Sequence, residues 1–179
     1  MNVEKELIEG CKKGKHKSFE SLYQQYAGRL LSIAMRYAYT TFEAEDILQD
    51  AFIKIFNSIG TYEYKGSFEG WLKRIVVTTA INHYHKNKIQ QTQTDHYPIE
   101  EEDDVIDIIS KISADELLSV IQTLPDGYRI VFNMYVIEGY THKEIAELLT
   151  ISEGTSKSQL AKGRVLLKNK LLQKGIITL

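Results

Sequence analysis

The chain is poor in several things, and each scarcity narrows what it can be. A single cysteine, Cys11, has no partner for an internal disulfide and cannot build a cysteine-based zinc site. That usage fits a reducing compartment. Two prolines in 179 residues leave long stretches free to run as helix. No apolar run approaches the roughly 20 residues needed to span a bilayer. The N-terminal stretch MNVEKELIEGCKKGKHKSFE is charged throughout and lacks the apolar core of a secretory signal. The expectation is a cytoplasmic protein that is not itself membrane-embedded. Catalytic signatures are also missing: no phosphate-cradling G-x-x-x-x-G-K-[ST], no G-x-G-x-x-G, no G-x-S-x-G and no H-E-x-x-H. His83 and His85 stand two apart on a predicted helix, so they point to different sides; His16, His96 and His142 are isolated. Carboxylates fall in a connector and on an exposed helix face, not in apolar pockets. No catalytic residue, metal ligand or cofactor is expected, and the chain reads as a binder, not an enzyme.

What is present is segregated charge. The net charge of −2 is low for a free-standing DNA binder. Yet Gly70 to Thr94 carries Lys73, Arg74, Lys86 and Lys88 with no acid. Asp95 to Asp107 carries Asp95, Glu100, Glu101, Glu102, Asp103, Asp104 and Asp107 with no Lys or Arg. Gly154 to Leu172 is again purely basic, with Lys157, Lys162, Arg164, Lys168 and Lys170. Two cationic segments flanking an anionic connector suit a chain that meets DNA with two parts.

Periodicity supplies the elements. Val3 to Cys11 reads as a first helix, and Lys12 to Lys17 as a basic turn. Ser18 is then placed to cap a long run with Phe19, Leu22, Tyr23, Tyr26, Leu30, Ile33, Ala34 and Tyr37 on one side. Thr41 to Ile59 has the cleanest period, with Ala44, Ile47, Leu48, Ala51, Phe52, Ile55, Phe56 and Ile59 apolar. Its acids Glu43, Glu45 and Asp46 suit the helix dipole, but Asp50 lies too far in for that explanation. A glycine-bounded loop, GTYEYKGSFEG (Gly60 to Gly70), precedes a helix from Trp71 to Lys88. Aromatics beside a basic helix are the composition that stacks and holds unpaired bases, although Trp71 and Phe68 read as core. The polar and acidic stretch 90–112 cannot bury apolar surface and reads as a flexible linker. Helices follow at Leu117 to Leu124, before the Pro125-Asp126-Gly127 turn, and at Tyr128 to Ile137.

The last pair of elements forms a helix-turn-helix. Thr141 and Glu144 have capping-box spacing at the start of a helix to Leu149. Thr150 to Gly154 is the turn, and Thr155 begins a second, cationic helix of the kind that enters a major groove. The fold class is therefore all-α: two small helical domains, 1–89 and 113–179, joined by the linker 90–112.

Three blocks in order carry a resemblance: EAEDILQDAFIKIF (Glu43 to Phe56), GSFEGWLKRIVVTTAINHYHKNK (Gly66 to Lys88) and LPDGYRIVFNMYVIEGYTHKEIAELLTISEGTSKSQLAKGR (Leu124 to Arg164). The chain resembles bacterial RNA polymerase sigma factors of the extracytoplasmic-function class, from Phe19 to about Leu172. The resemblance implies that Asp46, Gln49 and Asp50 dock on the clamp helices of the polymerase core's largest subunit, with the flap of the second-largest subunit as a further partner site. It implies a minus-10 reader made of Tyr62, Tyr64, Lys65, Asn82, His83, Lys86 and Lys88. It implies a minus-35 reader made of Thr155, Lys157, Ser158, Gln159, Lys162 and Arg164, Thr155 on a phosphate. Promoter DNA and an anti-sigma factor are the other implied partners. Thr150 stands where the family has glycine, and Ser156 where it has an apolar residue, which predicts a looser turn and a less tightly packed recognition helix. Gln159, Ala161, Thr78 and Asn82 also depart from the family pattern. A conventional helix-turn-helix regulator is the alternative, although it has no need of the Glu43–Phe56 block.

Overall fold

The computed structural model describes residues 3–88 and 112–177, and every regular element among them is helical. The acidic linker expected over 90–112 lies, apart from Ile112, outside the described residues. The chain divides into two compact units, Met1–His83 and Tyr84–Leu179, the division falling inside the fourth helix.

In the first unit, α1 (Val3–Lys12) ends where Gly14 takes φ +71°, the left-handed turn that closes helices at little cost to glycine. The Lys15 N–H closes back on the Gly10 carbonyl at 3.0 Å. The chain re-enters helix at once, so α2 runs His16–Tyr37 and its N-cap is Lys15, with no side-chain cap. Ser18 is not the cap that its residue type suggests. It lies within α2 against α1, so close that a Cβ on Gly10 would overlap its side chain. The basic turn is correspondingly shorter than expected.

α3 (Thr41–Ser58) is capped by Thr40, whose hydroxyl accepts the Glu43 N–H at 3.1 Å. Its apolar stripe (Ala44, Ile47, Leu48, Ala51, Phe52, Ile55) is buried, as the period demands. Phe52 meets Tyr23 and Phe56 meets Phe19, at centroid distances of 4.7 and 4.8 Å, joining α3 to α2. A 3-10 turn, Ile59–Thr61, leads into the loop. α4 (Phe68–Lys88) starts three residues earlier than the Trp71 start expected, because Ser67 Oγ accepts the Gly70 N–H at 3.0 Å.

In the second unit, α5 (Ala114–Ile121) is capped by Ser113. α6 (Asp126–Phe132) runs on into a wider turn, Asn133–Ile137, whose marker is a bond from the Glu138 N–H to the Asn133 carbonyl at 3.0 Å. Arg129 is 2% exposed; its guanidinium donates to Asp126 Oδ1 at 2.7 Å, which keeps a buried charge paired. α7 (His142–Leu149) and α8 (Glu153–Gln173) complete the unit. Gly163 lets α8 approach α6: an added Cβ would lie 3.4 Å from Tyr128 Cβ and from its carbonyl oxygen.

Candidate polymerase and promoter surfaces

Helical geometry sorts the residues of α3. Phe42, Asp46, Gln49 and Ile53 follow one another at steps of four, three and four, which places them on one side. All four are exposed, Phe42 at 73% and Ile53 at 58%. Asp46 and Gln49 were read from the sequence as docking residues. Phe42 and Ile53 were not, and their signal was available: apolar residues off the buried stripe. Asp50 and Lys54 sit at the edge toward α4. Asp50 Oδ2 lies 2.8 Å from His83 Nε2, and Lys54 Nζ donates to the buried Thr79 hydroxyl at 3.0 Å. Asp50, assigned to docking, and His83, assigned to the minus-10 reader, are thus partners of each other. The Asp50 side chain keeps 48% of its surface exposed.

The loop after α3 divides its aromatics. Tyr62 is only 5% exposed, packed against Phe68 and Trp71 with centroids 5.2 and 5.4 Å away. Its hydroxyl donates to the Gly66 carbonyl at 3.0 Å. Tyr62 therefore offers no free ring face to a base, which corrects the role expected of it. Phe68 is buried as read, and Trp71 is half-buried. Tyr64 is exposed, and its φ of +60° is rare for a residue with a side chain. Its hydroxyl donates to Glu9 Oε1 at 2.6 Å, and Lys12 Nζ lies 4.6 Å from the ring centroid. The hydrogen bond to Glu9 pushes the phenol up to about 12 and holds the Glu9 carboxyl below its ordinary range. Lys65 is exposed and pairs with Glu63 at 2.6 Å. On α4, Arg74, Thr78 and Asn82 follow at four-residue spacing, with Arg74 and Asn82 exposed. Lys86 is exposed one turn on, and Lys88 ends the helix. Arg74 adds an exposed cation to this side of α4 that the sequence expectation did not include.

The helix-turn-helix is capped at three points. The Thr141 hydroxyl accepts the Glu144 N–H at 3.3 Å while Glu144 Oε2 accepts the Thr141 N–H at 2.9 Å, the capping box read from the sequence. Thr150 takes φ +55°, ψ +48°, the left-handed conformation for which glycine is the usual choice. The turn is as tight as a glycine would make it: the Ile151 N–H reaches the Ala146 carbonyl at 3.1 Å. The expected loosening is replaced by backbone strain at Thr150. Ser152 caps α8, accepting the Thr155 N–H at 2.9 Å, so the helix starts at Glu153 and not at Thr155. Thr155 was expected to contact a phosphate; its amide is engaged by that cap, and its hydroxyl lies 2.8 Å from Ser152 Oγ.

Ser156 is fully buried and bonds His142 Nδ1 at 2.9 Å, and the His142 ring stacks on Tyr135 at 4.4 Å. The polar residue at an apolar position is thus satisfied across the two helices. Burial, then the nearby Lys157, lowers the His142 pKa from its ordinary 6.5. On α8, Thr155, Ser158 and Lys162 lie opposite the buried row Ser156, Leu160, Gly163, Leu167 and Leu171. Lys157 and Arg164 lie on the flank toward His142, which both influence. Gln159 lies on the other flank, its amide about where a Cβ of Gly127 would touch it, at 3.1 Å. Among the described residues no group of three or more His, Cys, Asp or Glu could hold a metal ion, and no helix is long and apolar enough to cross a membrane.

Two family models match the two halves in order: Sigma-70 region 2 over residues 22–89 and Sigma-70, region 4 over residues 114–167. The ECF RNA polymerase sigma factor SigW of Bacillus subtilis (strain 168) is 30% identical over 184 residues, covering 93% of this chain and 96% of the relative. The chain belongs to the ECF family of RNA polymerase sigma factors. Another similar family member, ECF RNA polymerase sigma factor SigE of Mycolicibacterium smegmatis, is 30% identical over 160 residues; the match covers 86% of this chain and 62% of that longer relative. Among solved structures, the sigma factor RpoE of Bartonella quintana, crystallised with the anti-sigma factor NepR, superposes with a TM-score of 0.55 over 87% of this chain and 98% of that one, at 16% identity. That likeness supports the all-helical fold. The ECF family's work is transcription initiation.

Proposed function

We propose that this ECF sigma factor binds RNA polymerase core through the exposed side of α3 and directs it to promoters with two DNA readers. The observation that carries the docking assignment is the row Phe42, Asp46, Gln49 and Ile53: two carboxylate or amide groups between two exposed apolar side chains, on a helix whose other side is fully used by the core. A partner with basic and apolar groups side by side fits that row. Asp50 serves at its edge, where it also ties α3 to α4 through His83. A conventional helix-turn-helix regulator would leave this row without purpose.

The minus-10 reader is the loop with Tyr64 and Lys65, together with Arg74, Asn82, Lys86 and Lys88 of α4. Tyr64 supplies a ring for an unpaired base, and the cations supply phosphate contacts. Single-strand capture there drives melting. The minus-35 reader is α8, with Ser158 and Lys162 opposite its buried row and Lys157 and Arg164 beside them. Core polymerase supplies most of the affinity, which reconciles DNA reading with a net charge of −2. An anti-sigma factor, as in the Bartonella complex, is the natural regulator of such surfaces.

The test is co-purification with core polymerase. Asp46→Arg places the wrong charge on an exposed position and should weaken core binding at least tenfold without changing helicity. Asp50→Arg should do the same and also loosen α4. Undiminished core binding by Asp46→Arg would overturn the docking assignment.

A further inference from the structure

The 62–67 loop is not held by its neighbours in sequence alone. Three different groups of it are gripped by side chains of α1, some fifty residues earlier in the chain. Lys12 Nζ donates to the Tyr62 carbonyl at 2.8 Å. The same ammonium lies 4.6 Å from the centroid of the Tyr64 ring. Glu9 Oε1 accepts the Tyr64 hydroxyl at 2.6 Å, and Lys12 lies 3.9 Å from the same oxygen. Glu9 and Lys12 are three residues apart, one helical turn, so they work from the same side of α1.

What they hold is otherwise unfavourable. Tyr64 sits at φ +60°, a conformation that side-chain-bearing residues leave unless neighbours impose it. No glycine sits at that position to make it cheap; Gly66, two residues on, takes its own positive φ of +81°. The result is a tyrosine whose ring and hydroxyl are held, two residues after a held Tyr62 carbonyl, while 42% of its surface remains open. A ring fixed in advance binds a flat partner without first losing its freedom, which is the source of affinity in preorganised sites.

We propose that Glu9 and Lys12 are positioning residues for single-strand capture, so that α1 belongs to the minus-10 apparatus although it touches no base. The proposal rests on the assignment of the loop as a strand-capture element made above. Neither family model reaches α1, since the region 2 match begins at residue 22.

The experiment uses holoenzyme assembled from core polymerase and the full chain. The readout is affinity for a fluorescent single-stranded oligonucleotide carrying the minus-10 sequence of a promoter that the wild-type holoenzyme transcribes. Glu9→Ala and Tyr64→Phe should each weaken capture by roughly three- to tenfold, the net range for one ordinary hydrogen bond, since solvent screens the charge at this exposed site. The double variant should lose no more than the worse single one, because both remove the same bond. Glu9→Gln retains a carbonyl acceptor and should recover most of the loss. A contribution to folding alone would lower the urea midpoint of the variants while leaving their strand affinity at the wild-type level, and would overturn the proposal. Core binding should stay unchanged throughout. Tyr64→Phe alters an exposed hydroxyl and keeps the test decisive if Glu9→Ala loosens α1. Wild-type capture with unchanged or tighter capture by both single variants would overturn the proposal. A wild-type holoenzyme that captures no strand would overturn the loop assignment, and this proposal with it.

Discussion

Replacing Thr150 by glycine should stabilise the helix-turn-helix. Thr150 closes α7 at φ +55°, ψ +48° and is exposed. A left-handed conformation costs an L-residue roughly 1–2 kcal/mol, and β-branching puts threonine at the upper end. Glycine removes that cost but brings about 0.5–1 kcal/mol of extra unfolded-state entropy. The net gain is about 1 kcal/mol. For a domain of this size that corresponds to roughly 4–8 °C in melting temperature. Thr150→Ala is the control: it deletes the hydroxyl and branch while keeping a Cβ in the left-handed region, so it should recover only a few tenths of a kcal/mol. Thermal and urea unfolding of the full chain, followed by circular dichroism, would measure all three proteins. A glycine variant less stable than wild type would refute the strain argument. It would mean that the threonine side chain makes a contribution larger than the conformational cost of its backbone.

Other predictions concern close packing and protonation. Gly10→Ala should destabilise the first unit by about 1–3 kcal/mol, because the new methyl meets Ser18 Cβ at 2.9 Å and pushes α1 from α2; a urea midpoint equal to wild type would contradict this. Gly163→Leu should cost a similar amount, since its Cβ already touches Tyr128 backbone and side chain at 3.4 Å. His142 makes the second unit acid-sensitive. Unfolded, its ring protonates near 6.5; folded, burial and Lys157 delay protonation to lower pH. The unfolded state therefore binds more protons in that window, so stability is level above about 6.5 and falls as pH drops toward the folded value. His142→Gln should flatten the fall in urea midpoint between neutral and mildly acid buffers; identical pH profiles for the two proteins would contradict the sign.

The parts of the fold that were legible in the sequence are those fixed by local chemistry. The period of α3 named its buried stripe residue by residue, because a helix with one apolar side has one way to face a core. Thr141 and Glu144 announced their capping box because both bonds close within four residues. Errors arose where two local signals competed. Ser18 and Thr155 both looked like helix starts, yet Gly14 and Ser152 set those boundaries first. The candidate surfaces were less legible because their decisive contacts are distant in sequence. Nothing in the loop's composition says that Tyr62 turns inward while Tyr64 is gripped from α1. The pairing of Asp50 with His83, and of Ser156 with His142, joins residues whose types alone suggested separate roles. At Ser156 the departure from the family pattern was visible, but not the histidine that compensates it.

The central claim is that one chain docks on polymerase core and thereby gains the ability to open specific promoters. Run-off transcription from fragmented genomic DNA with purified core tests it most directly. Core with the wild-type chain should yield discrete transcripts sharing two upstream elements. Core with Asp46→Arg should yield few or none, and the free chain should bind the same promoters only weakly at physiological salt. Equal transcription by Asp46→Arg, or nanomolar promoter binding by the chain without core, would contradict the account.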